Sequence, residues 1–416
     1  MNRKERRRLE KQSKQPGPAT DIAKLLHDAL GLYQSGQLKP ALSLCQSALK
    51  SIPDHPDALN LSASIYMDLK DFDKSISCLK RLTTHLPGDA QAHFNLGTVY
   101  AASGDLEAAI SSQNRALELK PQYPEALYNL ANAFRQTGEI EASILNYRRT
   151  LEIASGYPGA ATNLASALLE LSRPDEALGA CDQALTHFPG DRDALAFKAI
   201  AASETGDPET AAWILSMDRI IRPRDFSAPA GYSDLAEFNK ALVAHVLTHP
   251  TLTREPHNMA TREGQQTENM AIEPKGPIAR LEEMIIEAFD EYIPAIKEVS
   301  GHPYIPLIPE LRKIDIWGTV LDRQGHQAAH MHRAAWVSGV YYAQLPDVMH
   351  GDNSDRTGWI EFGRPPDEFP CSVEHEVRIF EPKEGRMFMF PSFEYHRTIP
   401  FESTQQRISI AFDLLA

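Results

Sequence analysis

The chain has 416 residues, 42% of them hydrophobic and 24% charged, with a mean hydropathy of −0.36. That length builds two or three domains rather than one, and the composition excludes extended disorder. No run of about 18 apolar residues occurs, and the N-terminus carries charges where a secretory signal needs an apolar core, so no membrane span or export is expected and the cytoplasm is the expected location. Cys45, Cys78, Cys181 and Cys371 are far apart with no CxxC pair, which excludes a disulfide framework and a cysteine-rich zinc site. The net charge is −14, yet residues 1–14 hold seven Lys or Arg against Glu5 and Glu10, which leaves −19 on the rest. Nucleic acid is therefore not the expected partner of the folded part, and residues 1–21 read as a basic flexible tail.

From residue 22 a repeat sets in. Pro53, Pro87, Pro121, Pro189 and Pro223 fall on one series with a step of 34, its vacant slot held by Ser155. Small residues keep the same step at Ala29, Ala63, Gly97, Ala131, Ala165 and Ala199, and again at Ala41, Ser75, Ala109, Ser143, Ala177 and Ala211. Turn glycines stand at Gly36, Gly104, Gly138 and Gly206, with Lys70 and Ser172 in the two remaining slots. Each period predicts two amphipathic helices split by the turn and closed by proline, as in 92–102 followed by 106–119. The small residues belong where two helices approach closely. This pattern resembles the tetratricopeptide repeat in six copies over 22–225, an all-α superhelix whose concave face in that family grips a peptide.

Asn95, Asn129 and Asn163 share one slot of the third, fourth and fifth repeats. Asparagine is a mediocre helix former whose amide offers a donor and an acceptor to an extended backbone. A similar column lines the repeat groove of O-linked N-acetylglucosamine transferase, so the resemblance implies peptide binding by these three residues. The alternative is that the amides bond neighbouring helices or face water.

Beyond Arg224 the rhythm stops. Helices are predicted around 235–247 and 277–296, flanking a polar segment, 253–276, that reads as a loop; together 226–312 form a helical lead-in. From Lys313 to Ala416 short β-type runs follow at 314–321, 337–344, 359–362, 377–380, 387–390 and 407–414, separated by Gly, Pro and Asp, which predicts an antiparallel sandwich or barrel. His330 and His332 are two apart, so on an extended strand both rings share a face and could share a metal. A lone His396 follows Phe390-Pro391, and Arg407-Ile408-Ser409 comes eleven residues further on, again with period two.

These segments, with Trp336-Val337-Ser338-Gly339-Val340-Tyr341-Tyr342 between them, resemble the 2-oxoglutarate and Fe(II)-dependent oxygenases of bacteria and phages related to prolyl hydroxylases. The resemblance implies a multidomain chain in which the repeats precede a mostly antiparallel double-stranded β-helix, or jelly roll. It implies Fe(II) on His330, His332 and His396, with His332 in the slot usually given to a carboxylate. Either the third histidine ligates iron, as in three-histidine oxygenases, or water takes the place, as in aspartyl/asparaginyl hydroxylases; His326 and Asp322 are the substitute ligands. The co-substrate 2-oxoglutarate would place its second carboxylate on Arg407, whose fork matches it, with Ser409 and Tyr342 adding hydroxyls.

O2 is then the oxidant, ascorbate an accessory reductant, and a protein or peptide side chain on the repeat face the expected substrate. The rivals are a non-catalytic repeat adaptor with a degenerate oxygenase fold, and a three-histidine dioxygenase that uses no 2-oxoglutarate.

Overall fold

The structure is a computed structural model that describes residues 18–254, 260–308, 313–350 and 353–415. Most of the 1–21 tail lies outside the described residues. The chain divides into two compact units, residues 1–160 and 161–416.

In the first unit the predicted helix pairs follow one another: Pro18–Gln34 with Leu38–Ser51, Pro56–Asp68 with Phe72–His85, Ala90–Ser103 with Leu106–Leu119, and Pro124–Gln136 with Ile140–Ile153. The small-residue slots are where they should be: Ala29, Ala41, Ala63, Ser75, Ala109, Ala131 and Ser143 are all no more than 2% exposed. At Gly97 an added Cβ would come within 2.7 Å of the Gln113 side-chain amide, which would have to shift to admit it. The turn slots share one backbone conformation along the whole series. Gly36, Lys70, Gly104, Gly138, Ser172 and Gly206 all have positive φ, from 54° to 87°. The helix therefore ends on a left-handed residue whether or not glycine is there to make it cheap.

The second unit begins with two further helix pairs, Ala160–Glu170 with Pro174–His187 and Arg192–Glu204 with Pro208–Leu215. The last pair departs from the pattern. Its second helix is short and stops at Ser216, with φ 41°; Met217–Ile220 adds one turn, and the chain then enters strand β1, Arg222–Asp225. Pro223, expected to close a sixth repeat, instead lies opposite Phe388 on the outer edge of a sheet, where a residue without N–H is tolerated.

Helices Leu235–Leu247 and Ile278–Lys297 form the lead-in as predicted. Between them the polar segment is not all loop. β2, Thr253–Arg254, and β3, Thr261–Gln266, extend the sheet, and β3 pairs with β4, Lys313–Gln327. Its side chains hide this, because backbone bonds to β4 hold TREGQQ in place and only Thr261 and Gly264 are buried.

The remaining strands are β5, Val337–Gln344; β6, Ile360–Phe362; β7, Arg378–Phe380; β8, Arg386–Pro391; β9, His396–Thr398; and β10, Arg407–Leu415. They form a seven-stranded sheet in the order β1-β8-β5-β10-β4-β3-β2 and a three-stranded sheet β7-β6-β9, with every pairing antiparallel. This is the expected double-stranded β-helix. One face of the large sheet packs Ile316, Val320, Tyr341, Ile410 and Phe412 against Phe238, Leu242 and Ile285 of the lead-in helices. A separate cluster, including Leu321, Tyr342, Ile360, Phe362, Phe388 and Phe390, fills the other side of the sheet.

Candidate metal centre

Strand β10 is central and uses its two faces differently. Ile408, Ile410, Phe412 and Leu414 belong to the helix-side core, while Arg407, Ala411 and Asp413 line cavities on the other face. Period two thus places Arg407, Ser409 and Asp413 along one line. The neighbours are in register: Ser409 faces Tyr342 of β5 and Thr319 of β4, and Asp413 faces Ser338.

His330 and His332 were expected on a strand, but β4 ends at Gln327 and they lie in the connection to β5. Backbone pairing still holds them. His330 N–H donates to His396 O at 3.1 Å and His396 N–H returns a bond at 2.9 Å; His332 N–H donates to Ser392 O at 2.9 Å. Two segments distant in sequence are thereby zipped so that the three rings meet, with centroids 4.3–5.2 Å apart. One nitrogen from each can be chosen so that all lie within 4.8 Å of one another.

The second nitrogen of each ring decides the tautomer. Nδ1 of His330 lies 2.8 Å from Ala328 O, Nδ1 of His396 lies 3.0 Å from Glu394 O, and Nδ1 of His332 lies 2.6 Å from Asp413 Oδ1. Nitrogens facing such acceptors bear the proton, which leaves the three Nε2 lone pairs for a metal. Burial, with His332 second, brings the pKa of His330 down to about 3, and burial followed by the neighbouring histidines holds His396 well below the ordinary range. Both rings are neutral at pH 7, the state a metal requires.

Arg407 is 2% exposed, and its Nε has no hydrogen-bond partner. Its Nη1 donates to Ser409 Oγ at 3.3 Å, and the guanidinium lies 5.0 Å from the centre of the Tyr342 ring. Among the described residues no carboxylate pairs with it. Burial holds its pKa below the usual guanidinium value. The Thr319 hydroxyl is also buried and unpartnered, and the buried Tyr342 hydroxyl is close enough to interact with the Arg407 guanidinium. A buried cation with only hydroxyls beside it is costly without an anion, so these residues suit a carboxylate-bearing guest. One cavity is lined by His330, His332, His396, Tyr342 and Arg407 together, and a second opens beside it against Trp317, Met331 and Asp413.

The substitute ligands are elsewhere. Asp322 accepts from Gln406 Nε2 at 2.8 Å and lines a separate polar cleft, and His326 Nδ1 lies 3.4 Å from Gln324 O. Glu394 is buried with both carboxylate oxygens unpartnered, and burial, with Glu376 second, holds its carboxyl well above the usual range. Asp413 is the residue that sequence reasoning missed. The signal was present, since it continues the period-two line from Arg407 and Ser409.

A second group of donors, Glu204, Cys371 and His375, also lies within 4.8 Å. Here Glu204 accepts from Ser372 N–H at 2.8 Å and Ser372 Oγ at 2.6 Å, with His375 Nε2 at 2.9 Å. Its carboxylate ties the loop after β6 to helix Arg192–Glu204. In the asparagine column, Asn95 donates to Asn60 at 2.8 Å and accepts from Gln91 at 2.9 Å, while Asn129 donates to Thr98 at 3.1 Å. Asn163, in the second unit, is half-buried.

Residues 315–413 match the family described as "Putative 2OG-Fe(II) oxygenase". Tetratricopeptide repeat families match residues 32–98, 97–138, 124–157 and 162–223. No curated protein matches the chain. Among solved structures the chain is similar to the MamA protein, at 24% identity over 40% of this chain and 91% of that one, with TM-score 0.38. It is also similar to pilF of Pseudomonas aeruginosa, at 18% over 49% and 92%, TM-score 0.43. A thermophilic TPR protein of Thermus thermophilus matches at 25% over 44% and 99%, TM-score 0.35. No helix among the described residues is long and apolar enough to cross a membrane. The chain thus joins N-terminal tetratricopeptide repeats to a C-terminal region that matches the putative 2OG-Fe(II) oxygenase family.

Proposed function

We propose that the chain is an Fe(II)- and 2-oxoglutarate-dependent dioxygenase that hydroxylates a protein or peptide side chain recruited by its repeats. Residues 22–221 are assigned to the repeats, 226–312 to the lead-in and 313–416, together with edge strand β1, to the catalytic core. The observation that carries this reading is the buried Arg407, paired with no carboxylate among the described residues, in the same cavity as three histidines whose Nδ1 atoms all face acceptors.

His330, His332 and His396 would hold the iron. Arg407 would take the distal carboxylate of 2-oxoglutarate, with Ser409 steadying the guanidinium and the Tyr342 hydroxyl supplying a further bond. Iron held there would let O2 act as the oxidant, one oxygen atom entering a substrate C–H bond and the other entering succinate as 2-oxoglutarate gives up two electrons and CO2. Phe390 and Ile360 wall the cavity and keep water from the guest. Asn95, Asn129 and Asn163 are the proposed peptide contacts, and Asn95 and Asn129 would exchange their present side-chain partners for peptide main chain.

The test is an anaerobic titration with Fe(II) and 2-oxoglutarate, which should produce the weak visible charge-transfer band of the chelate. Its absence at saturating ligand overturns the assignment. The substrate class is tested by capture on the full chain carrying His396→Ala, followed by a mass search for a +16 shift in the captured proteins after exposure to the active enzyme. If no captured protein acquires the shift, the peptide substrate is wrong.

A further inference from the structure

A metal site of three neutral imidazoles has no negative charge of its own, whereas the two-histidine, one-carboxylate set of this chemistry does. The geometry points to Asp413 as the source of that charge, acting through His332, so we propose it as a positioning residue for the metal. This inference rests on the three histidines being the metal ligands.

Three observations support it. Asp413 Oδ1 lies 2.6 Å from His332 Nδ1, with the two side chains only 14% and 11% exposed, so the bond is short and shielded. Ser338 Oγ donates to the same oxygen at 2.7 Å, and Ser338 is fully buried. The register that sets Asp413 opposite Ser338 fixes the carboxylate from the strand itself. Lastly, among the described residues no lysine or arginine pairs with Asp413, so no cation neutralises it.

His330 and His396 direct Nδ1 at main-chain carbonyls, which orient a ring but carry no net charge. His332 alone faces a carboxylate. A carboxylate on the far nitrogen makes an imidazole a more basic, more electron-rich ligand and fixes its orientation. The dyad His332–Asp413 therefore supplies the charge of the missing carboxylate ligand from the far side of the imidazole ring, across one hydrogen bond.

The experiment is a titration of the full chain with Co(II) alone, reading affinity and the visible d–d spectrum. Asp413→Asn keeps an oxygen acceptor at the same position but removes the charge, and should weaken Co(II) binding about 10- to 100-fold with a changed spectrum. Ser338→Ala removes the second donor but leaves the charge, and should bind within a few-fold of wild type. Asp413→Glu should recover part of the loss. Thermal unfolding of each metal-free variant separates loss of fold from loss of charge. Wild-type affinity and spectrum in Asp413→Asn would overturn this inference and leave the three-histidine site standing. Equal Co(II) binding by wild type and His396→Ala would overturn both.

Discussion

The guanidinium of Arg192 lies 4.8 Å from the centre of the Trp336 ring, and its Nη1 donates to the neighbouring Ala335 carbonyl at 2.9 Å. Arg192 opens the last long repeat helix, and Ala335 and Trp336 end the connection that carries His330 and His332. Asp193, next in the helix, reaches Arg333 at 3.3 Å. The sixth repeat thus grips the segment that presents two of the three histidines.

Removing that grip has a measurable consequence. Arg192→Ala loses a charge-assisted hydrogen bond and a cation–π contact, together worth about 2 kcal/mol. Urea unfolding should report that loss, and Co(II) affinity should fall along with it. Unchanged metal affinity in a destabilised variant would mean that the helix supports the fold and leaves the histidines untouched.

The left-handed turn slots give an independent test in the repeats. Lys70 and Ser172 occupy positions that Gly36, Gly104, Gly138 and Gly206 fill elsewhere, with φ of 58° and 54°. A side chain there costs about 1 kcal/mol, partly returned because glycine loosens the unfolded chain. Lys70→Gly and Ser172→Gly should each stabilise by about 0.5 kcal/mol in denaturant melts. A loss of stability in both would show that side-chain contacts, not backbone strain, set the energy of the turn.

Arg407 is expected to trade stability for binding. Because no carboxylate among the described residues pairs with it, Arg407→Met should raise stability by about 1 kcal/mol or more while 2-oxoglutarate affinity falls roughly 100-fold. Calorimetric titration with 2-oxoglutarate in the presence of Co(II), set beside a Co(II) titration alone, checks it. Loss of both affinities together would make Arg407 a structural residue.

Acid should destabilise the metal-free chain. His302 is buried, with Nε2 2.9 Å from Ile214 O and Nδ1 accepting from Tyr304 N–H at 3.3 Å. Burial lowers its pKa, as it does for His330 and His396. Above the ordinary value near 6.5 these rings are neutral in both folded and unfolded chains. As pH falls below it, the unfolded chain takes up protons that the folded one refuses, and stability is lost until the depressed folded values are passed. Each histidine adds about 1.4 kcal/mol per pH unit to that slope. His302→Gln should make the loss of stability below about pH 6.5 shallower, as read from urea midpoints. An unaltered slope would mean that His302 does not titrate on unfolding.

What could be read from the residues alone was local or periodic. The 34-residue step was legible because each turn, small residue and proline answers to its own helix pair. The three histidines were legible because two share a short spacing and the third follows a strand-ending proline. Asp413 was obscured because its partner His332 is 81 residues away, and the Glu204–His375 contact spans 171. Strand β3 escaped notice because backbone bonding, which leaves no mark on side-chain polarity, holds it. Pro223 kept the count of the repeat while the chain around it had already become a sheet edge.

Strand β10 has one further consequence, for engineering and for drift. Its odd-numbered residues from Arg407 to Asp413 serve the site and its even-numbered ones seal the core, between two partner strands that both fix its register. Inserting or deleting a single residue there would turn isoleucines into the cavity and the arginine into the core at one stroke. This stretch can therefore change by substitution but not by length, because a one-residue slip disturbs the cavity lining and the core packing together.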